Sequence, residues 1–162
     1  GDFMRSANCR RRFFTGFLII AFLWGAFPAS NLRAESPEEI QKKRTALMKK
    51  MNKNMRLIRV YAGKGQMKDL AGAASEVSKL IDRIPESSPK GSAFGPKSRI
   101  KPEVWEDFDR YKKLAEKASA AARSLAKVGR AGDGAALFSS FSSLAKACGA
   151  CHKPFRKKKK QK

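Results

Sequence analysis

Three residues near the end of the chain, within "KACGACHKPFRKKKKQK", have the types and spacing to do metal or redox chemistry. Cys148, Cys151 and His152 form a Cys-x-x-Cys-His run, and His152 is the only histidine among 162 residues. Such a run can be part of a zinc site, a thiol redox pair, or the anchor of a covalently attached haem. A closed structural zinc site takes four nitrogen or sulfur ligands. Only three are grouped here, and the remaining cysteine, Cys9, stands far away near the N-terminus. A thioredoxin-like pair opens a helix after a strand, and no strand pattern precedes this one. In the haem reading every residue has a part. The two thiols add to the porphyrin vinyl groups as thioethers, and the imidazole gives iron an axial nitrogen. The expectation is one haem c per chain, tethered by Cys148 and Cys151, with His152 as iron ligand.

These residues need an element that turns all three the same way. Positions 148, 151 and 152 lie at i, i+3 and i+4, so a helix puts them on one face. The apolar stripe Leu137, Phe141, Leu144, Ala145, Cys148, Cys151, His152 and Phe155 predicts that helix, with Asp133 as its cap. Upstream, Ser36, Pro37 and Glu39 spell a capping box. Ile40, Leu47, Met48, Met51, Met55, Ile58 and Ala62 then recur at helical spacing until Gly63 and Gly65. A second helix follows over "MKDLAGAASEVSKLIDRI", stopped by Pro85. The stretch from Pro85 to about Lys101 is rich in Pro, Ser and Gly and predicts a loop, with Phe94 tucked onto the core. Pro102 starts one long third helix to about Gly129, packed through Trp105, Phe108, Tyr111 or Lys112, Ala115, Ala118, Ala122 and Leu125. No segment alternates with period two. The predicted fold is all-α, an antiparallel up-down-up-down four-helix bundle.

Charge and the N-terminus bound the setting. The chain carries 36 Lys and Arg against 14 Asp and Glu, a net charge of +22. Residues 1–34 combine Arg5, Arg10, Arg11 and Arg12 with an apolar stretch from Phe13 to about Phe27 and small residues up to Ala34. That is the pattern of an export signal, cleaved after Ala34; uncleaved, it would be a membrane anchor. Residues 35–162 form the expected bundle and its basic tail, at +18. The run "RKKKKQK" is expected to be a solvated helix end. Export fits covalent haem attachment, so the expected location is the periplasm.

A lone histidine excludes a bis-histidine iron within one subunit. The sixth position is then methionine, a weak ligand, or nothing. Met48, Met51 and Met55 share the inward stripe of the first helix, and any one of them can equally be flexible core filler.

The ending "CGACHKPFR", with "KPEVWEDF" and "RTALMKKMNKNM", resembles the class II c-type cytochromes, the cytochrome c-prime and cytochrome c-556 family. There a Cys-x-x-Cys-His run lies near the end of a four-helix bundle. The resemblance implies that Arg44 pairs with a haem propionate, that Met48 stands on the distal side of the iron, and that Arg156 lies near the proximal imidazole. "LMKKMNKNMRLI" resembles low-spin members, in which the methionine at the place of Met48 ligates iron. "RTALM" also resembles high-spin members, in which it only fills space.

Single-electron transfer with His152 and Met48 as axial ligands is placed first among functions. The alternative is five-coordinate iron, with Met48 a lid over a pocket for NO or CO. A basic helical binding module is a remote third. No constellation for hydrolytic or acid-base catalysis is present, so no enzyme is expected. The expected partner is an acidic redox protein, and the family resemblance implies a second copy of the chain as another. Nucleic acid is not expected, and a membrane enters only through an uncleaved signal.

Overall fold

The computed structural model describes residues 35–96 and 98–158, so the expected signal over residues 1–34 and the last four residues of the basic tail lie outside them. Five helices appear among the described residues: α1 (Pro37–Gly63), α2 (Met67–Asp82), α3 (Glu103–Glu106), α4 (Phe108–Ala131) and α5 (Gly134–Phe155). There is no strand among them, only an isolated antiparallel bridge between Ile100 and Arg156. Four long helices and a single-turn α3 make the predicted bundle.

Local chemistry explains most helix ends. Ser36 accepts the Glu39 backbone N–H at 3.3 Å, while the Glu39 carboxylate accepts the Ser36 N–H at 2.8 Å, closing the capping box. Asp133 accepts the Ala136 N–H at 3.0 Å at the head of α5. The α4–α5 turn needs a left-handed residue, and Gly132 supplies it at φ 68°.

Three expectations are corrected. The third helix is broken at Asp107, whose extended φ of −133° and side-chain acceptance from Arg110 N–H make it the cap of α4. Phe94 is 44% exposed, because its loop is held by backbone and serine contacts instead of by that ring. Residues 156–158, the described start of the basic tail, do not continue the last helix. Pro154 removes one backbone donor from the last turn, and Arg156, whose N–H still bonds the His152 carbonyl at 3.0 Å, turns extended at φ −120° to pair with Ile100.

The core runs through Ile58, Leu70, Val77, Ile81, Leu125 and Leu144, each at most 2% exposed. α1 packs on α2, α2 on α4 and α4 on α5, whereas α1 and α5 share no comparable seam. The α2–α4 contact depends on a residue without a side chain. A Cβ on Gly129 would meet the Ala71 Cβ and the Met67 carbonyl oxygen at 2.9 Å. Alanine gains about 1 kcal/mol of helix propensity, but the clash falls on backbone. Gly129→Ala should therefore lower stability by about 1–3 kcal/mol, and a thermal melt unchanged from wild type would refute this packing.

The candidate haem site

α5 presents the Cys-x-x-Cys-His run on its last two turns. Leu144, fully buried one turn earlier, and Phe155, 5% exposed, fix that helix against the core. Phe155 meets the Tyr111 ring edge-on at 5.2 Å between centroids, which seats the ligand-bearing turn on α4. Between these anchors the apolar stripe is only half covered: Cys148, Cys151 and His152 are all half-buried, and Ala145 is exposed.

A clamp on the C-terminal side adds rigidity. Lys101 donates its N–H to the Phe155 carbonyl at 3.1 Å, and Lys157 donates to the Arg99 carbonyl at 2.8 Å. The Arg99 guanidinium donates twice to the Lys157 carbonyl, at 3.1 and 2.9 Å. Sequence reasoning missed Arg99. Its partner lies 58 positions away, and no local pattern announces it.

Burial sets the protonation states. It pushes the His152 pKa down to about 4, helped by the positive Arg156 and Arg99, so the imidazole is neutral at neutral pH with a lone pair for a metal. Burial raises the Cys148 thiol and, with the neighbouring Cys148, lifts Cys151 to about 11. Arg156 is itself held below its ordinary value by desolvation and by Arg99.

Met48 is placed by register. α1 and α5, first and last in an up-down-up-down order, run antiparallel. The Arg59 guanidinium of α1 lies over the Phe141 ring of α5, 5.4 Å from its centroid. Eleven residues back from Arg59 is Met48, and eleven on from Phe141 is His152. The two therefore come level about 16 Å further along the bundle. By the same count Arg44 comes level with Arg156. Met48 and Met55 are half-buried against the core, whereas Met51 is buried at 8% exposure.

Arg44 has a second occupation that sequence reasoning did not foresee. It is 8% exposed, and Nη1 donates to the Ser87 carbonyl at 2.9 Å and Ser92 Oγ at 2.8 Å. Nη2 donates to the Ser92 carbonyl at 2.8 Å. These bonds leave Nε–H and one Nη2–H for another acceptor. Burial lowers its pKa from the ordinary arginine value. Ser88, in the same loop, shares a hydrogen bond with the Tyr111 hydroxyl at 3.1 Å, and the Trp105 indole donates to the Ser88 carbonyl at 3.0 Å. One serine-rich loop thus ties α1, α3 and α4 together beside the site.

These features fit a porphyrin. Two thiols and a neutral imidazole share one face of α5, set in a half-covered apolar stripe across from a helix with which α5 forms no packed seam. Among the described residues, no group of three or more His, Cys, Asp and Glu could hold a bare metal ion. The donor set suits a metal that brings its own macrocycle.

Comparison with known proteins agrees. The sequence model of the family described as Cytochrome C' matches residues 39–156. Cytochrome c' of Rhodospirillum rubrum is 33% identical over 86 residues, spanning 53% of this chain and 58% of that one. Cytochrome c-556 of Agrobacterium tumefaciens is 32% identical over 122 residues, 72% of this chain and 96% of that one. A solved cytochrome c' with ligand-controlled dimer dissociation superposes with a TM-score of 0.71 at 28% identity, covering 77% of this chain and 99% of the other. A bundle closed by Cys-x-x-Cys-His on its last turns, and matched by the family's sequence model from Glu39 to Arg156, belongs to the cytochrome c' family of haem c proteins.

Proposed function

We propose that this chain is a periplasmic haem c protein with five-coordinate iron, binding NO or CO and exchanging single electrons. Cys148 and Cys151 form the tethers, His152 is the axial ligand and Met48 is an apolar lid. Haem, when bound, supplies a reversible one-electron couple and an iron position open to a diatomic gas. The chain's own residues decide how that position is used. His152 keeps its nitrogen neutral, and the Phe155 anchor and the Arg99 clamp hold the turn that carries it. Arg156 adds a positive charge near the imidazole. Arg44 offers its two remaining N–H groups to a propionate.

The observation that carries the reading is the match of residues 39–156 to the cytochrome c' family, and it is supported by the helical register that brings Met48 level with His152 on a helix that forms no packed seam with α5. A thioether there excludes bulky or anionic ligands whether or not it touches iron. The sequence, read with the resemblance of "LMKKMNKNMRLI" to low-spin members, placed the His/Met-ligated form first. The weight of cytochrome c' among the relatives reverses that order, while the c-556 relative keeps the ligated form as the second reading. The structural relative described as a ligand-controlled dimer supports a homodimer here as well.

Visible spectroscopy of the exported protein decides between the two. The five-coordinate form should be high spin, lack sharp α and β bands when reduced, and take up CO readily. Met48→Ala should then speed CO binding without changing spin state. Sharp bands, slow or absent CO uptake and conversion to high spin by Met48→Ala would establish the ligated form instead.

A further inference from the structure

The end of the bundle away from His152 carries an apolar feature that the haem site does not use. Phe138 is 82% exposed on α5, and Val60 on α1 is 48% exposed. Beside Phe138 runs a groove of about 280 Å³ lined by Ile58, Arg59, Ala62, Leu137 and Phe141. Core-facing positions on α5 recur every three or four residues, and Phe138 falls off that stripe. At 82% exposure a phenylalanine there adds little to the core.

Charge narrows the occupant. The segments that form this end, 56–69 and 127–144, hold six lysines and arginines against two carboxylates, Asp69 and Asp133. Asp133 is already engaged as the α5 cap. Carboxylates collect at the opposite end instead, at Glu35, Glu38, Glu39, Glu103, Glu106 and Asp107. A second copy of so basic a surface would be repelled. A redox protein seated at Phe138 would stand about 20 Å along α5 from His152, too far along the helix to serve the ligand-bearing turn. A protein interface also needs a broad complementary face of about 800 Å² per partner, whereas the apolar part here is one projecting ring with a shallow groove behind it. A ring standing among long basic side chains suits the interfacial region of an anionic bilayer. There the ring enters the acyl boundary while lysine and arginine heads meet the phosphates.

We propose that this end of the bundle docks reversibly on anionic phospholipid surfaces, with Phe138 as the inserting residue and Arg59 and Lys64 as flanking phosphate contacts. Docking is peripheral, since no described helix is long and apolar enough to cross a membrane. It needs neither residues 1–34 nor any particular iron ligation. It also leaves the α5 end that carries His152 facing away from the lipid.

The test is co-sedimentation of the exported holoprotein with vesicles of equal parts phosphatidylglycerol and phosphatidylcholine, and with phosphatidylcholine alone. Wild type should bind the anionic vesicles and not the neutral ones. Phe138→Ala should weaken binding about tenfold, and the Arg59→Gln, Lys64→Gln pair by a similar factor. An unchanged haem spectrum confirms that each variant is folded, and because the readout is lipid binding, failure of the gas-binding reading leaves this result untouched. Equal binding by Phe138→Ala would reduce the attraction to net charge and overturn the site. So would equal binding to neutral vesicles, as a retained anchor would give, or no binding at all, which would point to a protein partner.

Discussion

Purified after export, a Cys148→Ala, Cys151→Ala double variant should lose all its colour to acidified acetone, whereas wild type keeps its haem through that extraction and through denaturing electrophoresis. The effect is all-or-none, because no amount of unfolding removes a group held by thioether bonds. With both sulfurs gone, His152 is the only strong protein ligand left on α5, and one coordinate bond does not survive acid that protonates the imidazole. Each single variant should keep one thioether and therefore its haem. The double variant should still fold as a helical bundle, since Cys148 and Cys151 are half-buried and the core around Leu144, Leu125 and Val77 does not depend on them. Circular dichroism checks that point separately. A colourless wild type made with working haem-attachment machinery, or a double variant that keeps extraction-resistant haem, would remove Cys148 and Cys151 from the site.

The second large effect concerns stability. Arg44→Ala should cost about 2–4 kcal/mol in denaturant unfolding, an unusual loss for an arginine. Three donors disappear at once, and the Ser87 and Ser92 carbonyls with Ser92 Oγ lose charged partners in a site where Arg44 is 8% exposed. The loop they stabilise also positions Ser88 against Tyr111 and Trp105, so the loss should spread to α3 and α4. Lysine at position 44 should rescue little, because one ammonium cannot reach three acceptors arranged for a planar fork. A cost under about 0.5 kcal/mol, the size of an ordinary surface change, would show that the loop holds itself.

What could be read from residues alone follows the range of the interactions. The capping box at Ser36 and Glu39 and the cap at Asp133 act over three positions, and a contiguous string displays them in full. The haem-binding run is equally compact, so three of the six candidate site residues were legible with their spacing. The break at Asp107 was overlooked although its signal was local, because an aspartate in an acidic helix start resembles an ordinary first-turn residue. Met48 needed more than periodicity. Three methionines share the α1 stripe; the family resemblance points to Met48, and the antiparallel register through Arg59 and Phe141 brings the same one level with His152. Arg44 was readable as a site residue only by family resemblance. Its serine partners are 43 and 48 positions away, a separation at which helical patterns carry no information. Phe138 was passed over for a related reason: a stripe analysis looks for apolar residues that fit, and this one does not.

The strap between residues 99–101 and 155–157 has a consequence for how the molecule opens. A C-terminal helix ordinarily frays from its last turn, with carbonyls that have no partner and a free end to peel. Here the final turn is stitched to a segment that precedes α3, so the contact between Ile100 and Arg156 encloses the whole of α3, α4 and α5 in one loop of chain. Peeling α5 from its end must also release that segment, and with it the start of α3. Amide exchange at Phe155 to Lys157 should accordingly follow the slow collective unfolding of the bundle, and the turn that carries His152 should be among its last regions to open.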